Sequence, residues 1–193
     1  MNNQTNIEKL ILSGKKVFTV GDLAVIWQIS DRKKLIARIK YYLRHHRLTR
    51  IHKGVYAYGE YTPIDVAQKL VPLSYLSLYS TSQMHGLTFQ YYSTVFCVSL
   101  KSKTYDIAGQ KYEYRKVKES IFYNDLGLIQ DNGHTIAGKE RTICDLLYVF
   151  PSCAFDNLQG VDLAMLSKIS SIYGNKRLQK EVIGLIKIIE EDR

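Results

Sequence analysis

The stretch Asp31-Arg32-Lys33-Lys34-Leu35-Ile36-Ala37-Arg38-Ile39-Lys40-Tyr41-Tyr42-Leu43-Arg44-His45-His46-Arg47 decides how the chain reads. At about 100° per residue, Leu35, Ile36, Ile39, Tyr42, Leu43 and His46 fall on one side of a helix. The other side collects Lys33, Lys34, Ala37, Arg38, Lys40, Tyr41, Arg44 and His45. Ser30 or Asp31 is expected to cap this helix, which should run to about Arg47. The apolar stripe anchors it and the basic stripe faces outward. Ala37 and Tyr41 stand at the centre of the outward stripe. A small residue there lets the helix approach the floor of a DNA major groove and touch a thymine methyl, while arginines can bond guanine O6 and N7.

Upstream, Ile7, Leu10 and Ile11 at i, i+3, i+4 predict a helix over Thr5 to Ser13, stopped by Gly14. Val17 and Phe18 lead into Thr19-Val20-Gly21-Asp22, a capping-box pattern that should open a helix over Val20 to Trp27. Two helices joined by a tight turn make a helix-turn-helix, whose second member enters the major groove. Downstream, Leu48 to Ile51 and Val55 to Tyr58 are β-branched and aromatic runs around a turn containing Gly54, which signals a hairpin. A basic hairpin directly after a reading helix is a wing. The expected DNA contacts are Arg32, Lys33, Lys34, Arg38, Tyr41 and Arg44 on the helix, with Arg50, His52 and Lys53 on the hairpin meeting phosphates or the minor groove. For His52 an ordinary turn residue is the plain alternative.

Charge supports this placement. Residues 1–58 hold twelve lysines and arginines against Glu8, Asp22 and Asp31, which equals the whole chain's formal net charge of +9. The other 135 residues are balanced. An exposed helix face kept basic only for solvation would mix both signs, and no acidic residue occurs between Arg32 and Lys53. Like charges segregated in this way call for a polyanion, and nucleic acid is the first candidate.

At 193 residues with 46% hydrophobic content, the chain is long enough for one large or two small globular domains. No apolar run approaches the roughly 18 residues of a membrane span, and the polar start MNNQTNIEKL lacks the pattern of a secretory signal. Cys97, Cys144 and Cys153 cannot all pair and none has metal-ligand spacing, so a reduced, cytoplasmic protein is expected, without cofactor or metal.

Residues 60–193 should form a mixed α/β domain after a winged helix-turn-helix domain over 1–59, giving an α+β protein overall. Thr62-Pro63 starts a helix over Ile64 to Leu70, and Ser74 is expected to cap another over Tyr75 to His85, ended by Gly86. Strands are expected at Thr94 to Leu100, Tyr105 to Ala108, Gln110 to Val117, Ile121 to Tyr123 and His134 to Ile136. Gly138 to Phe150, Val161 to Tyr173 and Asn175 to Glu191 read as helices. The last carries Leu178, Val182, Leu185, Ile186 and Ile189 on one side, for packing within its own domain or for a partner. Ser77, Ser80, Ser82 and His85 with Asp145 invite a nucleophile–base reading, but no G-x-S-x-G elbow accompanies them. Small serines on a helix permit close packing. His134 has no second metal ligand at useful spacing, and both phosphate-binding glycine motifs are absent. No catalytic residues are assigned, and the chain is not expected to be an enzyme.

Three segments in order carry a family resemblance. Leu48-Thr49-Arg50-Ile51-His52-Lys53-Gly54-Val55-Tyr56, after its basic helix, is similar to the wing of the AbiEi antitoxins of abortive-infection (type IV) toxin–antitoxin systems. Leu76-Ser77-Leu78-Tyr79-Ser80-Thr81-Ser82-Gln83-Met84-His85-Gly86-Leu87 resembles that family's helix ending in His-Gly-Leu. Ile136-Ala137-Gly138-Lys139-Glu140-Arg141-Thr142-Ile143-Cys144-Asp145-Leu146-Leu147 resembles its Leu-rich helix with Asp. The resemblance spans roughly residues 18–190. It implies a bacterial antitoxin encoded beside a nucleotidyltransferase-fold toxin. The N-terminal domain would repress its own promoter by binding double-stranded operator DNA, and the C-terminal domain would counteract the toxin. Such systems are classed as lacking a stable toxin–antitoxin complex, so a direct complex is not implied, and self-association on DNA is left open. Two alternatives stand beside it: a winged-helix regulator with a ligand-sensing second domain, and a nucleic-acid enzyme delivered by its basic domain. The absence of clustered carboxylates or a metal set speaks against the latter.

Overall fold

The computed structural model describes residues 5–151 and 153–191; the first four residues of the polar N-terminal stretch lie outside them. The chain is a mixed α+β protein that divides into two compact units, Met1–Pro72 and Leu73–Arg193.

In the first unit every helix opens on a side-chain cap. Helix α1 (Asn6–Leu12) starts at Thr5, whose hydroxyl accepts from Glu8 N–H while the Glu8 carboxylate accepts from Thr5 N–H at 2.7 Å. Strand β1 (Val17–Thr19) runs directly into α2 (Val20–Trp27) through the expected box. Thr19 N–H donates to Asp22 at 2.8 Å and Asp22 N–H donates to Thr19 Oγ1 at 3.1 Å. Gln28, in the left-handed region at φ 56°, ends α2. Asp31 caps α3 (Arg32–Arg44) by accepting from Lys34 N–H at 3.0 Å. Each such cap is worth about 1 kcal/mol.

Helix α3 stops short of the expected Arg47. His46 turns left-handed at φ 51°, and the N–H groups of Arg47 and Leu48 fold back onto the Tyr42 carbonyl. His46 is consequently exposed instead of lying on the inward stripe. The chain then forms β2 (Thr49–His52) and β3 (Val55–Ala57). The sheet order is β1-β3-β2, all antiparallel, with Phe18 opposite Tyr56 and a bulge between Arg50 and His52. The hairpin was expected; its third strand, β1, was not. Leu10, Phe18, Leu23, Trp27, Leu35, Ile39, Tyr42, Leu48 and Tyr56 make one core, and Trp27 Nε1–H donates to the Asn6 carbonyl at 3.0 Å, tying α2 to α1.

Helix α4 (Pro63–Leu70) begins with Pro63 in its first turn and a Thr62–Asp65 capping box. Its Lys69 ammonium reaches Asp22 Oδ2 at 2.9 Å. The charge excess ends at residue 58, whereas the compact units divide after Pro72, so α4 belongs with the first unit, where it packs beside β1.

The second unit is built on a six-stranded mixed sheet. Its strands are β4 (Ser74–Leu76), β5 (Val95–Ser99), β6 (Lys103–Ile107), β7 (Gln110–Lys116), β8 (Leu128–Asp131) and β9 (His134–Ala137). They lie in the order β6-β7-β5-β4-β9-β8. Strands β4 and β5 are antiparallel at the centre, β9 runs parallel to β4, and β7 runs parallel to β5. All five residues of β5 are buried, which explains its unbroken apolar run.

Helices α5 (Tyr79–Met84), α6 (Glu119–Phe122), α7 (Lys139–Val149), α8 (Leu163–Ser171) and α9 (Lys176–Glu191) complete the unit. A continuous core joins Tyr75, Val98, Ile121, Leu146, Ile169 and Val182. Leu178, Val182 and Ile189 of α9 are buried within their own unit, with Leu185 and Ile186 packed beside them.

Two expectations fail here. Tyr75 to His85 is not one helix: Ser74–Leu76 is a central strand, and α5 begins only after Leu78. A short apolar run fits a buried strand as well as a helix, and pairing on both sides with β5 and β9 decided for the strand. Ile121–Tyr123 is not a strand but the end of the single turn α6 and its cap, with Ile121 pointing into the core.

Candidate nucleic-acid interface

All nine predicted contacts are solvent-exposed: Arg32, Lys33, Lys34, Arg38, Tyr41 and Arg44 on α3, and Arg50, His52 and Lys53 on the β2–β3 hairpin. Opposite them on α3, Leu35, Ile39 and Tyr42 are buried, so the helix is fixed by one stripe and presents the other. Lys34, Ala37, Arg38 and Tyr41, at i, i+3, i+4 and i+7, form a single outward row. Tyr41 is 48% exposed yet braced, its ring 4.3 Å from His45 and edge-on to Tyr42 at 5.4 Å, while Tyr42 packs on Trp27.

The electrostatic character of this face follows from where the carboxylates go. All three acidic residues of positions 1–58 are helix-capping groups: Glu8 on α1, Asp22 on α2 and Asp31 on α3. Carboxylates at helix N-termini also complement the helix dipole. Among the described residues, no carboxylate pairs with Arg32, Lys33, Lys34, Arg38, Arg44, Arg50 or Lys53. Burial alone would raise the Asp22 carboxyl. The Thr19 N–H and the Lys69 ammonium outweigh it and hold Asp22 below the ordinary carboxylate range.

The hairpin is fixed as firmly as the helix. Val55, Tyr56 and Ala57 are buried, β3 is paired on both edges, and Val20 N–H donates to the Gly54 carbonyl at 3.2 Å. Gly54 sits at φ 81°, a conformation glycine adopts without strain. The turn is thereby pinned to the start of α2 with Lys53 facing solvent. Beyond the nine residues, Arg47 and His45 line a depression with Arg38, Tyr41 and the α1 cap residue Glu8, and Ile29 borders the outward row from the α2–α3 turn. The basic run made Arg47 findable; the position of Ile29 depends on the path of the turn.

In the second unit the serines disperse. Ser80 Oγ accepts from Phe96 N–H at 2.8 Å, Ser82 shares a hydrogen bond with Thr88 at 3.0 Å, and His85 Nε2 lies 2.8 Å from the Ala137 carbonyl. Ser77 donates to the Asp145 carboxylate at 2.7 Å, not to a histidine. The β4–α5 junction does contain a strained elbow at Leu78, φ 59° and ψ −136°, the kind of strand-to-helix turn that displays nucleophiles. The residue on it is a fully buried leucine.

Asp145 belongs instead to a buried polar centre. It accepts from Tyr173 at 2.7 Å, Ser77 and Tyr75, and lies 3.5 Å from Arg141 one turn away. Arg141 donates to the carbonyls of Ile121, Asn124 and Leu126 and to Tyr75 OH, at 2.9–3.0 Å. Burial pushes the Asp145 carboxyl up, against the pull of Arg141 and the three hydroxyls. The centre clamps β4, α6, the loop after it, α7 and the turn that ends α8 together. Cys97, Cys144 and Cys153 are free thiols. No helix among the described residues is long and apolar enough to cross a membrane.

No protein-family model matches this chain, and a search of curated proteins returns no significant match.

Proposed function

We propose that the first unit is a winged helix-turn-helix that binds double-stranded DNA, with α3 as the reading helix and the β2–β3 hairpin as the wing. The observation that carries this is the exposed, uncompensated basic row of α3 beside an anchored basic hairpin, with all three acidic residues of positions 1–58 drawn into helix caps. Helix, turn, helix and hairpin occur in the chain order of that motif. Phosphate neutralisation would supply affinity, and Lys34, Ala37, Arg38 and Tyr41 would face base edges.

On the resemblance of its three segments, the protein is an AbiEi-type antitoxin. It represses its own promoter and counteracts a nucleotidyltransferase-fold toxin encoded beside it, through the second unit. That unit holds most of the chain, carries a nearly balanced charge, and has Ser77, Ser80 and Ser82 engaged in internal hydrogen bonds. Mobility-shift titration on the DNA upstream of the coding sequence tests the first half: retardation that random duplex competes poorly is expected, and equal competition overturns it. Co-expression with the adjacent gene tests the second. Growth rescue is expected, and unchanged toxicity in the presence of folded protein overturns it.

A further inference from the structure

The outward row of α3 encloses a shallow notch lined by Ile29, Lys34, Ala37, Arg38 and Tyr41. Ala37, the smallest side chain on the basic face, is part of its lining. One wall is Ile29, half-buried against the core of the unit and held by its N–H donating to the Ala24 carbonyl at 3.0 Å. The other wall is Tyr41, held by His45 and Tyr42. Lys34 and Arg38 complete the lining.

This is an apolar socket set within a cationic surface, and its walls are braced before any ligand arrives. A purely phosphate-binding face has no use for one. Among the groups a base pair presents in the major groove, only the thymine C5-methyl is apolar. Arg38, immediately beside the notch, has the planar donors that match guanine O6 and N7.

We propose that the Ile29–Ala37–Tyr41 notch is a specificity subsite for a thymine methyl, with Arg38 reading a guanine at an adjacent base pair. This rests on the DNA-binding reading and adds to it what the reading helix selects. Burial of one methyl group predicts a discrimination of about four-fold between thymine and uracil at that position.

The test uses the full-length chain and duplexes recovered by repeated retention from a random-sequence library. Each thymine of the recovered consensus is replaced in turn by uracil, which removes the methyl and keeps the base pair. One position next to a conserved guanine should lose about four-fold in affinity. Filling the notch with Ala37→Leu should abolish that difference, while Arg38→Ala should keep it and relax the guanine preference. If every thymine tolerates uracil without loss, or if Ala37→Leu keeps the discrimination, the notch is not the subsite although DNA binding stands. Failure to retain any duplex overturns the DNA-binding reading and the subsite with it.

Discussion

Removing the two charges of the hairpin, Arg50→Ala with Lys53→Ala, is the sharpest test of how affinity is divided across the basic face. Both side chains are exposed and unpaired, and neither contributes to the core. The hairpin itself is held by buried Val55 and Tyr56 and by the bond from Val20 to Gly54, so the variant should fold as the parent does. Each phosphate contact contributes about 0.9 to the slope of log K against log salt. Losing two should flatten that slope by about 1.8. Taking 1 M salt as the point where counterion release contributes nothing, the loss in affinity is about 200-fold at 0.05 M and about 20-fold at 0.2 M. Fluorescence anisotropy on operator and random duplexes across this range would measure both numbers. The loss should be the same on the two DNAs, because phosphates carry no sequence. An unchanged slope, or a loss confined to operator DNA, would refute the placement of the hairpin on the backbone.

Three further outcomes follow from the same structure. Lys34→Ala with Arg38→Ala, on the outward row of α3, should abolish repression while leaving growth rescue intact from a foreign promoter; a folded variant that no longer rescues would mean that neutralisation runs through DNA. Asp22 titrates lower in the folded chain than in the unfolded one, so its contribution is present above about pH 4 and disappears as acid carries the pH through its folded value. Thermal unfolding of Asp22→Asn should therefore start from lower stability at neutral pH and show a shallower acid decline than the parent, and superimposable acid limbs would contradict the Thr19–Lys69 arrangement. Arg141→Met leaves the fully buried Asp145 without its cation and frees three carbonyls, which should cost about 3–5 kcal/mol in urea unfolding; a loss under about 1 kcal/mol would show the centre to be dispensable.

Features encoded within a few residues were legible in the sequence. The Thr19–Asp22 box, the 3.6-residue stripe of α3 and the β2–β3 hairpin all depend on local chemistry, and each lies where those residues put it. The surface character was legible too, since charge segregation needs no coordinates. Features fixed by distant pairing were not. Strand β1 is only three residues long and exists because β3, far along the chain, offers a free edge. The Tyr75–Leu76 segment carries as much helical as strand character on its own, and its neighbours in the sheet chose. Strand β8 was missed although Asn132-Gly133, at φ 47° and 80°, is a two-residue hairpin turn of the most recognisable kind. The notch on α3 needed the path of the α2–α3 turn, and the Arg141–Asp145 centre needed four separate elements to converge.

The position of β4 has a consequence for how the protein is made. Its first residue, Ser74, lies just past the end of the first unit, yet β4 is a central strand whose flanking partners are β5 and β9, with Leu76 aligned to Ile136. A ribosome working at about 5–20 residues per second needs about 3–12 s to deliver β9 after β4 has emerged. The first unit, complete by Pro72, can close in that interval. Strand β4 can pair with β5 meanwhile, but its other edge stays open until residue 136 arrives. The nascent chain therefore passes through a stage in which a finished basic unit is tethered to a half-built sheet with a bare inner edge. That interval is when the protein is most exposed to aggregation, and when anything that caps a strand edge would raise its yield most.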